Sequence, residues 1–534
     1  MSPVRSNKEI YSGFIEKNRK KFIYLLIFLI VALGFFLRIY NINTAPPGVY
    51  PDEAVNGEDA VNAIKNGQYQ WFYPSNQGRE GFFINLIALC FKLFGISVLT
   101  LKLPSIIFGT LTIFGTYLLG KEIFNQRVGL ISAFLVSVSF WAINFSRISF
   151  RANMLPFILV FSFYFLFKGL RTNKSSDFAI GGFIFGAGLH TYIAFRIAPL
   201  ILLITLFSLM ASRQSFLRIY WKKIIVFIML VLMTALPMLY TFFYAHPEYF
   251  ESRSDNISIL SSKINQGHLV QTFAKSFILS MAKYNFWGDQ NWRHNYPPYP
   301  ILDPLTGFAF LFGFIYSLFR MFGILYFRLF KKVRNSEMDK FVFLMIWFFA
   351  MLAPEFMTAE GNPHALRSIG TLPVVFIFSG IAFDFFLQKA QRHTYIYKKI
   401  IGVLIIIMMI SIGLFNSIKY HVFWANKIET ARSFEKSLMD ISAYIKDISP
   451  QTEKFILTGN MQRIPIKLFN DGLGNTYYFN PGQSEQVNPK DEHNFIVILT
   501  ERNDEIINSL RGRFPDLRLE QKVDSLGISF YILK

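Results

Sequence analysis

Apolar runs long enough to cross a lipid bilayer recur from residue 22 to residue 418, and no other feature restricts the fold so strongly. In hydrocarbon every backbone N–H and C=O must be satisfied within the chain, so such runs fold as membrane-spanning helices. Eleven qualify: 22–39, 101–120, 128–146, 153–170, 177–192, 193–211, 224–245, 303–327, 341–357, 366–388 and 400–418. Hydrophobic residues make up 52% of the chain and charged residues only 16%, which agrees. A net charge of +20 would suit a nucleic acid, but the basic residues sit in short clusters between the runs, as in cytoplasmic loops. No nucleic-acid partner is expected. A single cysteine, Cys90, excludes an intrachain disulfide and any cysteine-based metal cluster. No small-residue cleavage site follows the first run, so it is expected to be retained as a span.

Orientation depends on a twelfth run, GFFINLIALCFKLFG at 81–95. If it does not cross, the basic clusters all fall on one side: those at 5–21, 121–127, 168–174, 213–223, 328–340 and 389–399. If it crosses, the N-terminal cluster opposes the rest. As a helix the run spans about 22 Å against a hydrocarbon core of about 30 Å, so it is expected to lie in the outer interface. The expected fold is therefore an all-α polytopic membrane domain of about eleven transmembrane helices plus juxtamembrane helices, with the N-terminus inside. Residues 1–21 form the inner N-terminus and 22–418 the membrane domain, with outer loops at 40–100 and 246–302. From 419 the composition turns mixed. KFILTG, NFIVILT and ISFYILK read as buried strands, with helical patterns at 426–446 and 501–512. Residues 419–534 are expected to form a small α/β domain outside the cytoplasm.

With this topology the unusual polar residues collect outside: Asp52, Glu53, Arg79, Glu80, Arg147, Arg151, Arg196, Asp289, Arg293, His294, Glu355, His364 and Arg367. His190 and Tyr192 sit near an outer helix end. Arginines at span ends either snorkel to headgroups or face a polar cavity. A cluster of them suits a lipid phosphate, which guanidinium groups grip bidentately. The histidines lack HxxxH or HExxH spacing, so no metal site is expected, and no GxxxxGK[ST] loop occurs. In GVYPDEAVNGEDA (48–60) helix capping explains Asp52 as readily as catalysis does.

The ordered set of motifs resembles the membrane glycosyltransferases of the GT-C fold, specifically glycosyltransferase family 39, which includes protein O-mannosyltransferases and the enzymes that transfer aminoarabinose to lipid A. The matching stretches are YPDEA (50–54), NQGREGFFINLIALCFKLFG (76–95), LKLPSIIFGTLTIFGTYLLGKEIF (101–124), SFWAINFSRISFRANMLP (139–156), GLHTYIAFR (188–196), GDQNWRHNYPPYPILDPLTG (288–307) and GNPHALRSIGTLP (361–373). The resemblance implies a polyprenyl-phosphate sugar donor used on the outer side of the cell membrane. It implies Asp52 as general base beside Glu53, and Arg79 near the lipid phosphate. Arg147, Arg151, Arg196 and Arg367 are the further phosphate candidates, and Glu80, His190, Tyr192, Asp289, Arg293, His294 and His364 the pocket candidates. No cofactor is implied, because a lipid phosphate leaving group does not oblige a bridging divalent metal. Residues 419–534 carry no motif that identifies the acceptor. A flippase of polyprenyl-linked glycans and an inactive GT-C scaffold are the competing readings.

Overall fold

The computed structural model describes residues 7–251, 258–331, 337–358 and 361–534. Arg5, Lys332 and Arg334 of the inner clusters, and 252–257 of the second outer loop, lie outside the described residues. Each of the eleven expected runs coincides with a helix or a bent helix pair. Among the described residues eight helices are long and apolar enough to cross a membrane, or nine if the pair Gln126–Val138 and Phe140–Ser146, bent by 60°, forms one span. The expected number was higher because two runs fall short of that standard. Ser175–Ala187 has 13 residues, and Met338–Phe356 carries Asp339, Lys340 and Glu355. The tight turn expected at 192–196 is a 3-10 turn, Ile193–Ile197. Gly81–Phe94 is a short apolar helix of 14 residues. Its Asn85 faces the protein, accepting from the Tyr73 hydroxyl at 2.9 Å and donating to the Gln70 carbonyl at 3.0 Å.

Burial separates central helices from peripheral ones. The apolar window of Ile369–Ala390 is 89% buried, that of Tyr395–Trp424 only 11%. The peripheral helices turn Phe, Leu and Ile outward, as a lipid-facing surface requires. Between the first span, ending at Ile39, and the next, Val98–Ile123, lie three short elements. They are the acidic helix Pro51–Asn66, a two-stranded hairpin of β1 (Phe72–Tyr73) and β2 (Arg79–Glu80), and the helix Gly81–Phe94.

The C-terminal residues form a five-stranded sheet of β3 (Glu453–Leu457), β4 (Thr476–Phe479), β5 (Phe495–Leu499), β6 (Leu519–Val523) and β7 (Ser529–Leu533), in the order β4-β3-β5-β7-β6. β3 runs parallel to β4 and β5, while β7 runs antiparallel to β5 and β6. Because strand side chains alternate, Phe455, Leu457, Val497 and Leu499 pack on one face and Ile456, Ile496, Ile498 and Ile532 on the other. Helix Asp504–Arg513 covers the first face. Lys436–Lys446 and Arg463–Phe469 cover the second.

This domain sits directly on the acidic helix. Leu468 packs with Val49 and Ala54, and a Cβ on Gly57 would lie 2.5 Å from Leu468 Cδ2. Lys467 pairs with Glu58 at 3.2 Å and Lys65 with Asp471 at 2.8 Å. Gly48 has φ +128°, and a Cβ there would meet the Phe434 carbonyl oxygen at 2.5 Å. Gly48→Ala is therefore expected to lower the melting temperature, at a cost of about 1–3 kcal/mol, and to speed proteolysis of the 419–427 junction. Unchanged melting and digestion would mean that this contact does not hold the domain.

Candidate active site

The acidic helix begins where Tyr50 is extended and Pro51 supplies a preset helical φ, and it ends at Gly67 in the left-handed conformation (φ 69°). Its period places Asp52, Asn56 and Asp59, spaced i, i+4 and i+7, on one face. That face meets the hairpin. Asp52 Oδ1 accepts from Asn76 Nδ2 at 2.9 Å, and Asn56 Oδ1 accepts from Arg79 Nη1 at 2.6 Å. Asp59 accepts from Arg79 Nη2 and from the Ser75 hydroxyl, the latter at 3.0 Å. Arg79, 2% exposed, also donates to the Ser75 carbonyl at 3.3 Å, so every guanidinium nitrogen has a partner.

Beside this face opens a polar cavity of about 320 Å³. Asp52, Asn76 and Arg79 line one side, Arg151 and Tyr192 a second, Arg293, His294 and His364 a third. Arg151 Nε lies 2.5 Å from Glu80 Oε2, and its guanidinium sits 5.9 Å from the centre of the Tyr192 ring. Arg293 stacks over Tyr50 at 4.2 Å and is near enough to Asp52 and Glu435 for their charges to act on it. Among the described residues no protein acceptor engages its two terminal nitrogens. Its Nε makes one long bond, 3.4 Å, to Asn291. The second carboxylate oxygen of Asp52 is likewise left to the cavity. The site thus sets a carboxylate with a free oxygen opposite guanidinium groups, as proton removal beside a phosphate would require.

Of the residues expected from sequence, Asp52, Arg79, Arg151, Tyr192, Arg293, His294 and His364 come together on the cavity wall. Glu80 and Asp289 stand behind it, holding Arg151 and His294. Glu53 does not face the cavity: fully buried, it accepts from the Ser149 N–H at 2.8 Å and lies 3.9 Å from Lys102 Nζ. Arg147, also fully buried, donates to the carbonyls of Leu37 and Ala45, each at 2.9 Å. Arg196 donates to the Phe250 carbonyl at 3.0 Å and stacks on Phe242 and Phe250. His190 Nε2 is 2.7 Å from the Thr234 carbonyl. Arg367 flanks His364 in the 361–368 loop without lining the cavity. Asn56, Asp59 and Asn76 were not anticipated, although the helical spacing of the first two from Asp52 was readable.

One cluster no spacing rule predicts is Asp289, His294 and His364, whose ligating atoms lie within 4.8 Å of one another. Asp289 Oδ2 accepts from His294 Nδ1 at 2.9 Å and from the Ala365 N–H at 2.7 Å. His364 Nδ1 is buried and has no hydrogen-bond partner among the described residues. Its backbone N–H donates to Glu355 at 3.0 Å, and Glu355 is itself paired with Lys283 at 2.5 Å. An imidazole–carboxylate set of this kind could hold a transition metal ion, so the three residues are the candidate ligands here.

Residues 82–240 match the family model described as dolichyl-phosphate-mannose-protein mannosyltransferase. No curated protein matches the sequence. Solved structures do. Oligosaccharyltransferase AglB of Archaeoglobus fulgidus, in complex with an inhibitory peptide and a dolichol-phosphate, is similar with a TM-score of 0.55 at 14% identity, over 96% of this chain and 74% of that one. The apo oligosaccharyltransferase from the same organism gives 0.54 at 14%, over 93% and 69%. ArnT of Cupriavidus metallidurans, bound to undecaprenyl phosphate, gives 0.52 at 11%, over 96% and 98%. The fold is that of the GT-C membrane glycosyltransferases, in a multi-pass membrane protein.

Burial, with His294 and Arg367 adding to it, holds the His364 pKa well below its ordinary value. Below about pH 6.5 the unfolded chain then binds a proton there that the folded protein does not, so stability rises with pH. The contribution of His364 is complete above about pH 6.5 and is lost progressively as the pH falls further. Relative to His364→Gln, wild-type protein should lose melting temperature between about pH 7 and pH 5. Parallel pH profiles would show that His364 is not held neutral.

Proposed function

We propose that the protein is an integral-membrane glycosyltransferase that moves a sugar from a polyprenyl-phosphate donor to an acceptor outside the cytoplasm, with Asp52 as general base. The observation that carries this reading is that Asp52, one of whose oxygens has no donor among the described residues, lines one polar cavity of a GT-C fold with Arg293, on which its charge acts. Asp52 removes the proton of the acceptor hydroxyl while that oxygen bonds the anomeric carbon. The bond from that carbon to the phosphate oxygen breaks, and the lipid phosphate leaves with the electron pair. Arg293 and Arg151 meet the growing charge. Arg79, whose nitrogens are engaged by Asp59, Asn56 and Ser75, fixes the hairpin that carries Asn76. Glu53 is a positioning residue. The polyprenyl-phosphate ligands named in the ArnT and AglB structures support the same donor class.

Purified Asp52→Asn should lose roughly 10² to 10⁴ in transfer rate, the usual worth of a general base. Its melting temperature and its affinity for undecaprenyl phosphate should be unchanged. Transfer near the wild-type rate would reject the base assignment.

The orientation has its own test. In a Cys90→Ala background, Asn66→Cys, exposed at the C-terminal end of the acidic helix, should react with an impermeant thiol reagent in intact cells, and Ser175→Cys should not. The reverse pattern would put the cavity on the cytoplasmic side.

A further inference from the structure

The C-terminal sheet carries a second polar space, a crevice of about 730 Å³ that the proposed chemistry does not use. It lies beyond the carboxyl ends of β3 and β5, where Leu457, Leu499 and Glu501 line it. After β3 the chain crosses through Arg463–Phe469 on one face to β4. After β5 it leaves through Asp504–Arg513 on the opposite face to β6 and β7. Two neighbouring parallel strands whose connections depart to opposite sides make a topological switch point, the place where open α/β sheets bind ligands.

The opposite wall includes Glu435, a non-glycine residue at φ 47° in the link between Ile428–Ser433 and Lys436–Lys446. Strained backbone of this kind concentrates at ligand-binding positions. The same link is the one against which Gly48 packs, so the crevice adjoins the segment that leads into the helix bearing Asp52. Arg293 of the first cavity and Glu501 of the crevice both act electrostatically on Glu435, which therefore stands between the two spaces.

The chemistry of the lining selects a ligand. Lys436 is consumed by Asp440 at 2.7 Å and Asp524 at 2.6 Å, and Arg502 by Asp504 at 2.9 Å. What remains is one guanidinium, Arg432, with the carboxylates of Glu435 and Glu501 and the amide of Gln462, which donates and accepts, over an apolar floor that includes Leu438, Leu457 and Leu499. Donors and acceptors together above an apolar floor suit a molecule whose hydroxyls both donate and accept and whose C–H faces pack on leucine, and two carboxylates against one guanidinium disfavour an anion. We infer that this crevice holds an uncharged, hydroxyl-rich glycan portion of the acceptor and leads one of its hydroxyls toward Asp52. The inference rests on the reading of the first cavity as the transfer site.

The test uses the full chain in lipid nanodiscs and a panel of neutral oligosaccharides, with binding read by saturation-transfer NMR. Wild-type protein and Asp52→Asn should both bind members of the panel. Glu501→Ala combined with Gln462→Ala should weaken binding at least tenfold, with melting temperature and undecaprenyl phosphate affinity unchanged. Arg432→Ala, at the crevice rim, serves as a second variant if the double variant is unstable, and should also weaken binding. Absence of saccharide binding, binding indifferent to these changes, or preference for an anionic or aminated oligosaccharide would overturn the inference. Saccharide binding that persists without any transfer from a polyprenyl-phosphate sugar would instead reject the transferase reading and leave the crevice as a glycan site.

Discussion

The candidate site depends on one buried carboxylate that takes no part in the chemistry proposed for it. Successive residues of a helix point about 100° apart, so the direction of Asp52 follows from where Glu53 is tied. Glu53 is wholly enclosed, bound to the N–H of Ser149 and facing the ammonium of Lys102. An ion pair of this kind is costly to break by removing one partner, because the other charge is left buried and uncompensated. The first turn of the acidic helix is thereby keyed to the loop between the bent pair and the following span, and Asp52 is turned toward the cavity.

The arginines divide along the same line. Arg147 satisfies carbonyls at the end of the first span and in the loop after it, a task that any irregular backbone near the membrane surface imposes. Arg151 and Arg293 are held by partners on one side, Glu80 and the Tyr50 ring, and present the rest of the guanidinium to the cavity. Arginine content and position along the chain cannot separate these two uses. Hydrogen-bond inventory can.

Much of the architecture was legible in the sequence, for physical reasons. Spanning helices must be apolar along their length, so their locations were readable. Their number was less so, because length and a few charged residues decide whether a helix such as Ser175–Ala187 or Met338–Phe356 can cross. In the C-terminal domain β3, β5 and β7 announced themselves as apolar runs. β4 and β6 lie at the sheet edges, half exposed, and carry no such run. The acidic motif was visible, and the i, i+4, i+7 spacing of Asp52, Asn56 and Asp59 was there to be used. The approach of His364 to Asp289 and His294 was not, since residues far apart in the chain meet only through the packing of intervening helices.

The seating of the C-terminal domain carries a consequence for how such proteins diversify. Its contact with the membrane part is made by shape at close range: a glycine against the Phe434 backbone, a leucine in a gap left by Gly57, and two ion pairs along one helix. A domain borrowed from a distant homologue would bring a different surface to Gly48 and Gly57 and would tilt the very helix that bears Asp52. The surface of the C-terminal domain and the face of the acidic helix are therefore mechanically linked, and neither can be reshaped alone without moving Asp52.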